Sequence, residues 1–309
     1  MNFLVVGPGA MGCLFAARLK KAGNNVTLLD YRKERAEFIN ANGVVVEGIS
    51  GEYRTQMPAV TGKAPRMPHV VLICVKANQT REAVKNLKSW LAPEVYVLTL
   101  QNGLGNVEIL QEILGKERVL GGVTAEGATL LGPGHVRHAG QGETVMGPSG
   151  SQQGLTSDIV STFNAAGFKT RSADNVSDLI WGKLLINVGI NSLTAITRLK
   201  NGRLPEVGGT RMVMEEAVRE AAAVARAKGI TLPYPDPMER VLEVCRATAG
   251  NIASMLQDVL NERMTEVTFI NGAIVREGKA LGISTPVNIV LTCLVQAMEE
   301  TYKERINNK

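Results

Sequence analysis

At 309 residues, the chain is long enough for two domains of ordinary size, each with its own core. Hydrophobic residues make up 45% of it and charged residues 20%, which is typical of a folded globular enzyme and excludes a disordered chain. Aromatic residues account for 4%, which argues against the base-stacking surfaces of single-strand nucleic-acid binders. The net charge of +5 is spread along the sequence, so it favours anionic small molecules over DNA.

The four cysteines lie far apart, without the spacing of metal ligands or of a disulfide framework. They are Cys13, Cys74, Cys245 and Cys293. The three histidines form no metal-binding pattern with nearby carboxylates. The chain begins directly on a predicted strand, without a signal segment, and no apolar run reaches the length of a membrane span. We therefore expect a cytoplasmic protein with reduced thiols, without a bound metal and without a membrane or nucleic-acid partner.

The first half of the chain alternates short apolar runs with amphipathic helical patterns. Strands are predicted over 2–6, 26–30, 69–75, 95–100 and 118–123, and helices over 13–22, 32–40, 79–91 and from the turn at 101–103 to 114. A hairpin is predicted from 44–47 and 52–56. The glycine-rich segment 124–147 is expected to add antiparallel strands at one edge, followed by a flexible connection at 149–154 and one further helix and strand ending near 171. Such alternation is typical of a parallel, doubly wound sheet.

The second half carries little strand signal. Helices are predicted over 176–191, 209–228, 238–249, 266–281 and 286–305. The fold class is therefore α/β plus all-α: a Rossmann-type dinucleotide-binding domain at 1–173 and an all-helical substrate-binding domain at 174–309.

A glycine-rich loop separates the first strand from the first helix. It reads Gly7-Pro8-Gly9-Ala10-Met11-Gly12. In a dinucleotide fingerprint the first glycine permits the tight turn, the second lets a pyrophosphate approach the backbone, and the third lets helix and strand pack closely. The free N–H groups of the helix N-terminus attract the phosphates. We predict that this loop binds a nicotinamide dinucleotide.

Two residues at the end of the second strand point to different cofactors. Asp30 lies where a carboxylate binds the adenosine ribose hydroxyls of NAD. Arg32, two residues later, could instead pair with the 2′-phosphate of NADP. NADP(H) is favoured because Arg32, Lys33 and Arg35 cluster here, and NAD(H) stays an alternative because of Asp30.

Lys183, Asn187 and Asn191 are spaced four residues apart in an otherwise apolar helical segment, so they form one narrow polar row. A polar row on an apolar helix costs free energy unless each group finds a partner. The row is therefore either a satisfied seam between helices or a surface that binds a small polar ligand. Glu266 is a further acidic group, for which a place in the first turn of a helix would require no function.

Together these segments resemble the ketopantoate reductase family (2-dehydropantoate 2-reductases), within the 6-phosphogluconate-dehydrogenase-like fold group. The resemblance spans essentially the whole chain. It is carried, besides the glycine loop, by Val75-Lys-Ala77, Gln101-Asn-Gly-Leu-Gly105, Trp181-Gly-Lys-Leu-Leu-Ile-Asn187, Asn191-Ser-Leu-Thr-Ala195, Ser254-Met-Leu-Gln-Asp258 and Thr265-Glu-Val-Thr-Phe-Ile-Asn-Gly272. These blocks occur in the order and spacing of the family. One departure is the acidic Asp30, since family members that use NADPH commonly place arginine directly after the second strand.

The resemblance implies roles for individual residues. Lys183 would be the general acid, with Glu266 close to it and to the cofactor. Substrate contacts are implied for Asn187, Asn191, Asn201 and Ser254, with the two amides of the polar row reading the hydroxyl and Ser254 the carboxylate. Asn102 would contact both nicotinamide and substrate, and Ala128 would contact the cofactor through its backbone. Lys76, at the end of a strand, would meet a cofactor phosphate or the substrate carboxylate, or else be a solvated lysine.

The implied function is NADPH-dependent reduction of 2-dehydropantoate to (R)-pantoate in pantothenate biosynthesis. A paralogous reductase of another branched 2-oxo acid, or a non-catalytic NAD(P)-binding sensor, are the alternatives. The expected partner is a small 2-oxo acid, and a homodimer through the helical domain is a further expectation.

Overall fold

The structure, a computed structural model, describes residues 1–148 and 153–304. The chain divides into two compact units. The first unit comprises Met1–Gln101 and Asn106–Val176, and the second, the helical unit, comprises Asn102–Gly105 and the chain from Ser177 onward. The predicted connection at 149–154 lies largely outside the described residues, as does the end of the helix predicted to reach residue 305.

An eight-stranded sheet forms the centre of the first unit, in the order β12-β11-β8-β7-β6-β1-β2-β5. Its strands are β1 (Asn2–Val6), β2 (Asn25–Leu29), β5 (Ala59–Val60), β6 (Val70–Ile73), β7 (Tyr96–Thr99), β8 (Val119–Thr124), β11 (Thr144–Pro148) and β12 (Thr170–Ser172). The helices are α1 (Ala10–Lys21), α2 (Lys33–Asn42), α3 (Thr80–Lys88), α4 (Asn106–Leu114) and α5 (Gln153–Ala165). Along the sheet from β8 through β7, β6, β1 and β2 to β5, every neighbouring pair of strands is parallel. Strand β11 runs antiparallel to β8. The predicted doubly wound parallel sheet is thus confirmed.

Successive side chains of β1 explain why its sequence is apolar throughout. Phe3 and Val5 belong to one buried cluster, which also contains Phe163, whereas Leu4 and Val6 belong to another. Side chains alternate between the two faces of a strand, so a strand covered on both faces carries no polar position. This continuous burial fixes β1 in the centre of the sheet, with the glycine loop at its carboxyl end.

The segment 124–147 departs from its prediction. Two of its strands, β9 (Gly127–Gly132) and β10 (His135–Gly140), leave the main sheet and join β3 (Val44–Gly48) and β4 (Tyr53–Thr55) in a separate four-stranded sheet. The predicted β3–β4 hairpin is present, and β3 pairs in parallel with β10. Partners such as Glu47 and Arg137 are 90 residues apart, so no local pattern in the sequence could reveal the pairing.

The described part of the second unit, up to residue 304, contains six α-helices. They are α6 (Val176–Thr197), α7 (Gly208–Ala227), α8 (Pro237–Ala247), α9 (Ser254–Leu260), α10 (Asn271–Leu281) and α11 (Pro286–Glu300). The single helix predicted over 266–281 is wrong: a short 3-10 turn, Val267–Phe269, precedes α10. Ile270, at φ −110° and ψ −93°, interrupts the helical path between them. This break gives Glu266 a backbone position of its own, outside α10.

A chain of buried hydrogen bonds joins four of these helices. Glu220 accepts from the backbone N–H groups of Val287 and Asn288 at 2.9 and 3.0 Å. Asn271 donates to Asn288 at 2.9 Å and accepts from Ser192 at 2.6 Å. Buried polar groups that are fully paired stabilise one packing arrangement. Helix α6 is long and apolar enough to cross a membrane, but 67% of its most apolar window is buried, as in a core helix.

Candidate active site

The glycine loop follows β1 and leads directly into α1. A Cβ atom at Gly12 would overlap the carbonyl oxygen of Gly7, and one at Gly7 would lie 2.8 Å from the backbone nitrogen of Val75. Gly7 also has φ +93°, which L side chains rarely adopt. A Cβ at Gly9, in contrast, would meet nothing within 4 Å. The fold itself therefore requires Gly7 and Gly12, whereas Gly9 leaves open space against the backbone.

The N-terminus of α1 is suited to phosphate. Gly9 is its N-cap residue and no side chain caps the first turn. The first N–H groups of a helix lack partners within the helix, and together with the helix dipole they form an anion-binding site. With the open space at Gly9, this end of α1 fits the pyrophosphate of a dinucleotide.

A cavity of about 330 Å³ lies beside the loop, within the first unit. Its walls include Val6, Gly7 and Leu29 at the strand ends, and Leu87 and Trp90 at the end of α3. A volume above roughly 300 Å³ is typical of small-molecule pockets, and such pockets combine apolar walls with a few polar groups. Its position next to the pyrophosphate site suits the adenosine half of a dinucleotide.

Asp30 lines this cavity, but its carboxylate is engaged by neighbouring residues. Its side chain has 0% exposure. Arg35 donates to both carboxylate oxygens, one of them at 2.6 Å, and the backbone N–H of Arg32 donates at 3.0 Å. The Arg32 side chain turns toward Tyr31, with Nε 2.8 Å from the tyrosine hydroxyl. The sequence showed the acidic residue, but not that Arg35, five positions later, would neutralise it.

In the helical unit, Lys183, Asn187 and Asn191 lie on α6. Burial of its amine lowers the pKa of Lys183 to about 8, against the opposing effect of the Glu266 carboxylate. Glu266 is itself buried, immediately before the 3-10 turn at Val267–Phe269. An amine with this pKa holds a proton near neutrality and can release it readily, which is the requirement for a general acid.

Two side-chain amides of the helical unit have a buried atom without a hydrogen-bond partner. They are Nδ2 of Asn187 and Oδ1 of Asn201. Asn201 uses its Nδ2 to donate to Thr248 at 2.9 Å. Buried polar atoms are nearly always paired, by protein or by an ordered molecule, so both amides have capacity for one more polar partner. A purely structural seam, the other interpretation of the sequence, would require a protein partner for Nδ2 of Asn187.

The other predicted substrate residues of the helical unit have defined positions. Ser254 is exposed at the start of α9, and the next residue, Met255, accepts a long contact of 3.6 Å from Ser192 on α6. Asn102 belongs to a short segment whose Leu104 N–H donates to the Phe269 carbonyl at 2.8 Å. Ser254 and Asn102 are therefore both held by elements that pack within the helical unit.

Two predicted cofactor residues lie away from the glycine loop along the chain. Lys76 caps the 3-10 turn Ala77–Gln79 after β6, at the carboxyl edge of the main sheet. Ala128 lies on β9 of the second sheet, opposite His138, and packs against the core. Their roles in binding the cofactor stay predictions.

Several residues that shape these sites were missed from the sequence. Gln101 donates to the Val75 carbonyl at 2.7 Å and to the Thr80 hydroxyl at 2.8 Å, joining two strand-end loops. Thr61, Gly62 and Lys63 line the cavity from the loop after β5. The position of Gln101 directly after a strand was a signal for the first, but β5 is two residues long and gave none for the loop.

Comparison with known proteins agrees with this architecture. The family model "Ketopantoate reductase PanE/ApbA" matches residues 3–151, and its C-terminal counterpart matches 175–299. A 2-dehydropantoate 2-reductase from Halobacterium salinarum is 35% identical, over 96% of this chain and 98% of that protein. One from Pyrococcus horikoshii is 33% identical, over 97% and 98%.

Solved structures give the same result. A PanE/ApbA family ketopantoate reductase from Ralstonia eutropha aligns with a TM-score of 0.91 and 35% identity, covering 98% of this chain and all 100% of that one. A ternary structure of D-mandelate dehydrogenase with NADH and anilino(oxo)acetate aligns with a TM-score of 0.91 and 28% identity, covering 98% and 100%.

A dinucleotide-binding α/β unit, together with a helical unit that carries a buried lysine, defines an oxidoreductase that uses a nicotinamide cofactor. The sequence matches of this chain cover nearly the whole length of its relatives. The chain belongs to the ketopantoate reductase family.

Proposed function

We propose that this enzyme reduces 2-dehydropantoate to (R)-pantoate with NADPH, the reductive step toward pantothenate, in the cytoplasm. The proposal assigns the cofactor to domain 1–173 and the substrate to domain 174–309. The observation that carries it is the amine of Lys183, whose pKa burial lowers to about 8, in the same polar row as the unpaired amide of Asn187. The relatives' names supply the substrate class.

The residues of the first unit fit the cofactor. The glycine loop would hold the pyrophosphate at the N-terminus of α1; its residues are Gly7, Pro8, Gly9, Ala10, Met11 and Gly12. The cavity beside the loop would hold the adenosine half. The further cofactor contacts that we propose are Lys76, Asn102, Ala128 and Glu266. Arg32 would act at the adenosine end through its neighbour Tyr31. When bound, the nicotinamide supplies the hydride for the carbonyl carbon.

Lys183 would donate a proton to the carbonyl oxygen of the substrate. Reduction turns this oxygen into a hydroxyl, so a donor aimed at it stabilises the negative charge that develops there. Glu266 would keep the amine protonated, since its carboxylate raises the pKa that burial lowers. Both are therefore proposed as catalytic residues.

The amides would select the substrate. Asn187 has a free donor and Asn201 a free acceptor, so each could pair with a substrate hydroxyl or carboxylate. Asn191 continues the row one turn further on α6, and Ser254 offers an exposed hydroxyl for the carboxylate. A substrate without the matching hydroxyl would leave buried amide atoms unpaired, which is an effective basis for discrimination.

The surroundings of Asp30 support the proposed preference for NADPH over NADH. A carboxylate that binds the ribose diol must present free acceptor positions, but Arg35 and the backbone of Arg32 take three of the roughly four positions of Asp30. The same pairing neutralises the charge that would repel a 2′-phosphate. NADH stays the alternative if this ion pair opens.

A second candidate is the reduction of a different 2-oxo acid. The similarity to D-mandelate dehydrogenase, at 28% identity over 98% of this chain, favours it, since that protein was solved with NADH and an oxoacetate derivative. The two candidates differ in whether the side chain of the substrate carries a hydroxyl for the amides.

We also propose that the enzyme is a homodimer formed through α11. Ile289, Val290 and Leu294 are 45%, 56% and 47% exposed on one face of this helix, and residues 286–298 include no charged side chain. An uncharged apolar face can meet its own copy across a twofold axis without like-charge repulsion. Light scattering should show a dimer for the wild type and a monomer for Val290→Lys. A monomeric wild type would contradict the proposal.

One assay tests the reaction. Purified enzyme is mixed with NADPH or NADH and a panel of 2-oxo acids with and without a 4-hydroxyl, while cofactor oxidation is followed. We expect the highest kcat/KM for 2-dehydropantoate with NADPH. Preference for an acid without the hydroxyl would support the second candidate, and absence of all turnover would support a non-catalytic sensor.

A further inference from the structure

The adenosine cavity of the first unit has a basic residue that sequence motifs do not reveal. Lys63 lines the cavity from the loop after β5, together with Thr61 and Gly62. It is the one lysine or arginine among the lining residues, within the part of the chain that the structure describes. The lining therefore includes one basic side chain in addition to Asp30 and Tyr31.

Arg32, which the sequence suggests as the phosphate-binding residue, has a different environment. Its guanidinium lies over the ring of Tyr31, 5.1 Å from the centroid, and its Nε donates to the tyrosine hydroxyl. Arg32 does not belong to the cavity lining, whereas Tyr31 does. Its contact with the cavity thus runs through Tyr31.

The third basic residue nearby is already engaged. Arg35 donates to both oxygens of Asp30, and the side chain of Asp30 has no exposure. Because Arg35 is engaged with Asp30, Lys63 is the basic residue that lines the cavity and has no such partner among the described carboxylates of the cavity. Lys63 is exposed, so its ammonium can reach a ligand without breaking a buried contact.

We infer that Lys63 is the specificity-determining residue that contacts the 2′-phosphate of NADPH, while Arg32 acts by positioning Tyr31 at the mouth of the cavity. The inference rests on the proposed use of NADPH. A dianionic phosphate and an ammonium form a charge-assisted hydrogen bond, which is stronger than one between neutral groups. An unphosphorylated ribose offers a hydroxyl but no anionic partner, so the contact discriminates between the two cofactors.

Calorimetry with two half-ligands tests the inference without turnover. 2′,5′-ADP carries the phosphate in question and 5′-AMP lacks it. In Lys63→Met, the Kd for 2′,5′-ADP should rise about tenfold or more, while the Kd for 5′-AMP changes less than about twofold. The exposed Lys200→Met, in the helical unit, is the matched control and should change neither.

Arg32→Met separates Lys63 from the residue suggested by the motif. We expect Arg32→Met to raise the Kd for 2′,5′-ADP less than Lys63→Met does. It should raise the Kd for 5′-AMP by a similar factor, because both ligands would contact Tyr31. If Lys63→Met keeps the preference for 2′,5′-ADP and Arg32→Met loses it, the inference is overturned while the use of NADPH stands. If the wild type binds both half-ligands equally, the proposed NADPH preference fails as well. Melting temperatures verify that each variant is folded.

Discussion

The glycine loop of the first unit and the polar row of the helical unit, the two binding sites that we propose, differ in the kind of group that would contact the ligand. At the loop, the proposed contacts are made by the backbone. They require that Gly7 and Gly12 have no side chain and that the space at Gly9 is open. On α6, the proposed contacts are one amine and its neighbouring amides, whose properties depend on burial and on partners far along the chain. A motif can therefore identify the first site, whereas the second depends on tertiary structure.

If the chemistry of the helical unit depends on a single amine, its removal should have the largest effect of any substitution. We expect Lys183→Ala to lower kcat by roughly 10²–10⁴-fold, the usual contribution of a general acid. Binding of NADPH, followed by fluorescence, should change little. Lys200→Ala, which removes an exposed lysine of the same unit, should keep full activity. A Lys183→Ala enzyme with most of its rate would show that another group donates the proton.

The loop should respond to an added methyl group in two distinct ways. Gly12→Ala should destabilise the fold by about 1–3 kcal/mol, since its Cβ would overlap the Gly7 carbonyl. Gly9→Ala meets no protein atom, so thermal stability should be unchanged while affinity for the cofactor falls by about 1–3 kcal/mol. Thermal melts and cofactor titration of both variants distinguish the two effects. Equal behaviour of the pair would contradict the division between packing and binding.

Two asparagines of the helical unit offer a smaller, matched test. Asn271 is fully engaged with Ser192 and Asn288, so Asn271→Ala should cost about 1–3 kcal/mol of stability. Asn187 has an unpaired Nδ2, so Asn187→Ala should leave stability nearly unchanged and raise KM for 2-dehydropantoate by roughly tenfold. Urea unfolding and steady-state kinetics measure the two quantities. Loss of stability without a change in KM for Asn187→Ala would make this residue structural.

The sequence was sufficient for much of the fold because the signals were local. The apolar run of β1, the glycines after it and the amphipathic α1 are adjacent in the chain, and each agrees with the others. The spacing of Lys183, Asn187 and Asn191 likewise needed only the geometry of one helix.

Two kinds of feature could not be predicted: contacts between residues distant in sequence, and backbone conformations that local sequence does not favour. The parallel pairing of β3 with β10 joins segments 90 residues apart, and the break at Ile270 depends on how the turn before α10 packs. The position of Asp30 alone favoured NAD. Its ion pair with Arg35, which the sequence did not reveal, weakens that indication. The pKa of Lys183 likewise depends on burial that periodicity does not report.

The pH dependence of kcat/KM tests the role of Lys183 most directly, because it follows the protonation of the free enzyme. Only the protonated amine can act as the acid, so kcat/KM for 2-dehydropantoate should be flat well below pH 8, fall to half near pH 8, and fall about tenfold per pH unit well above it. Glu266→Gln removes a carboxylate that raises this pKa, so the decline should begin at lower pH. A wild-type profile that stays flat to pH 10, or a decline that moves to higher pH in Glu266→Gln, would contradict Lys183 as the general acid.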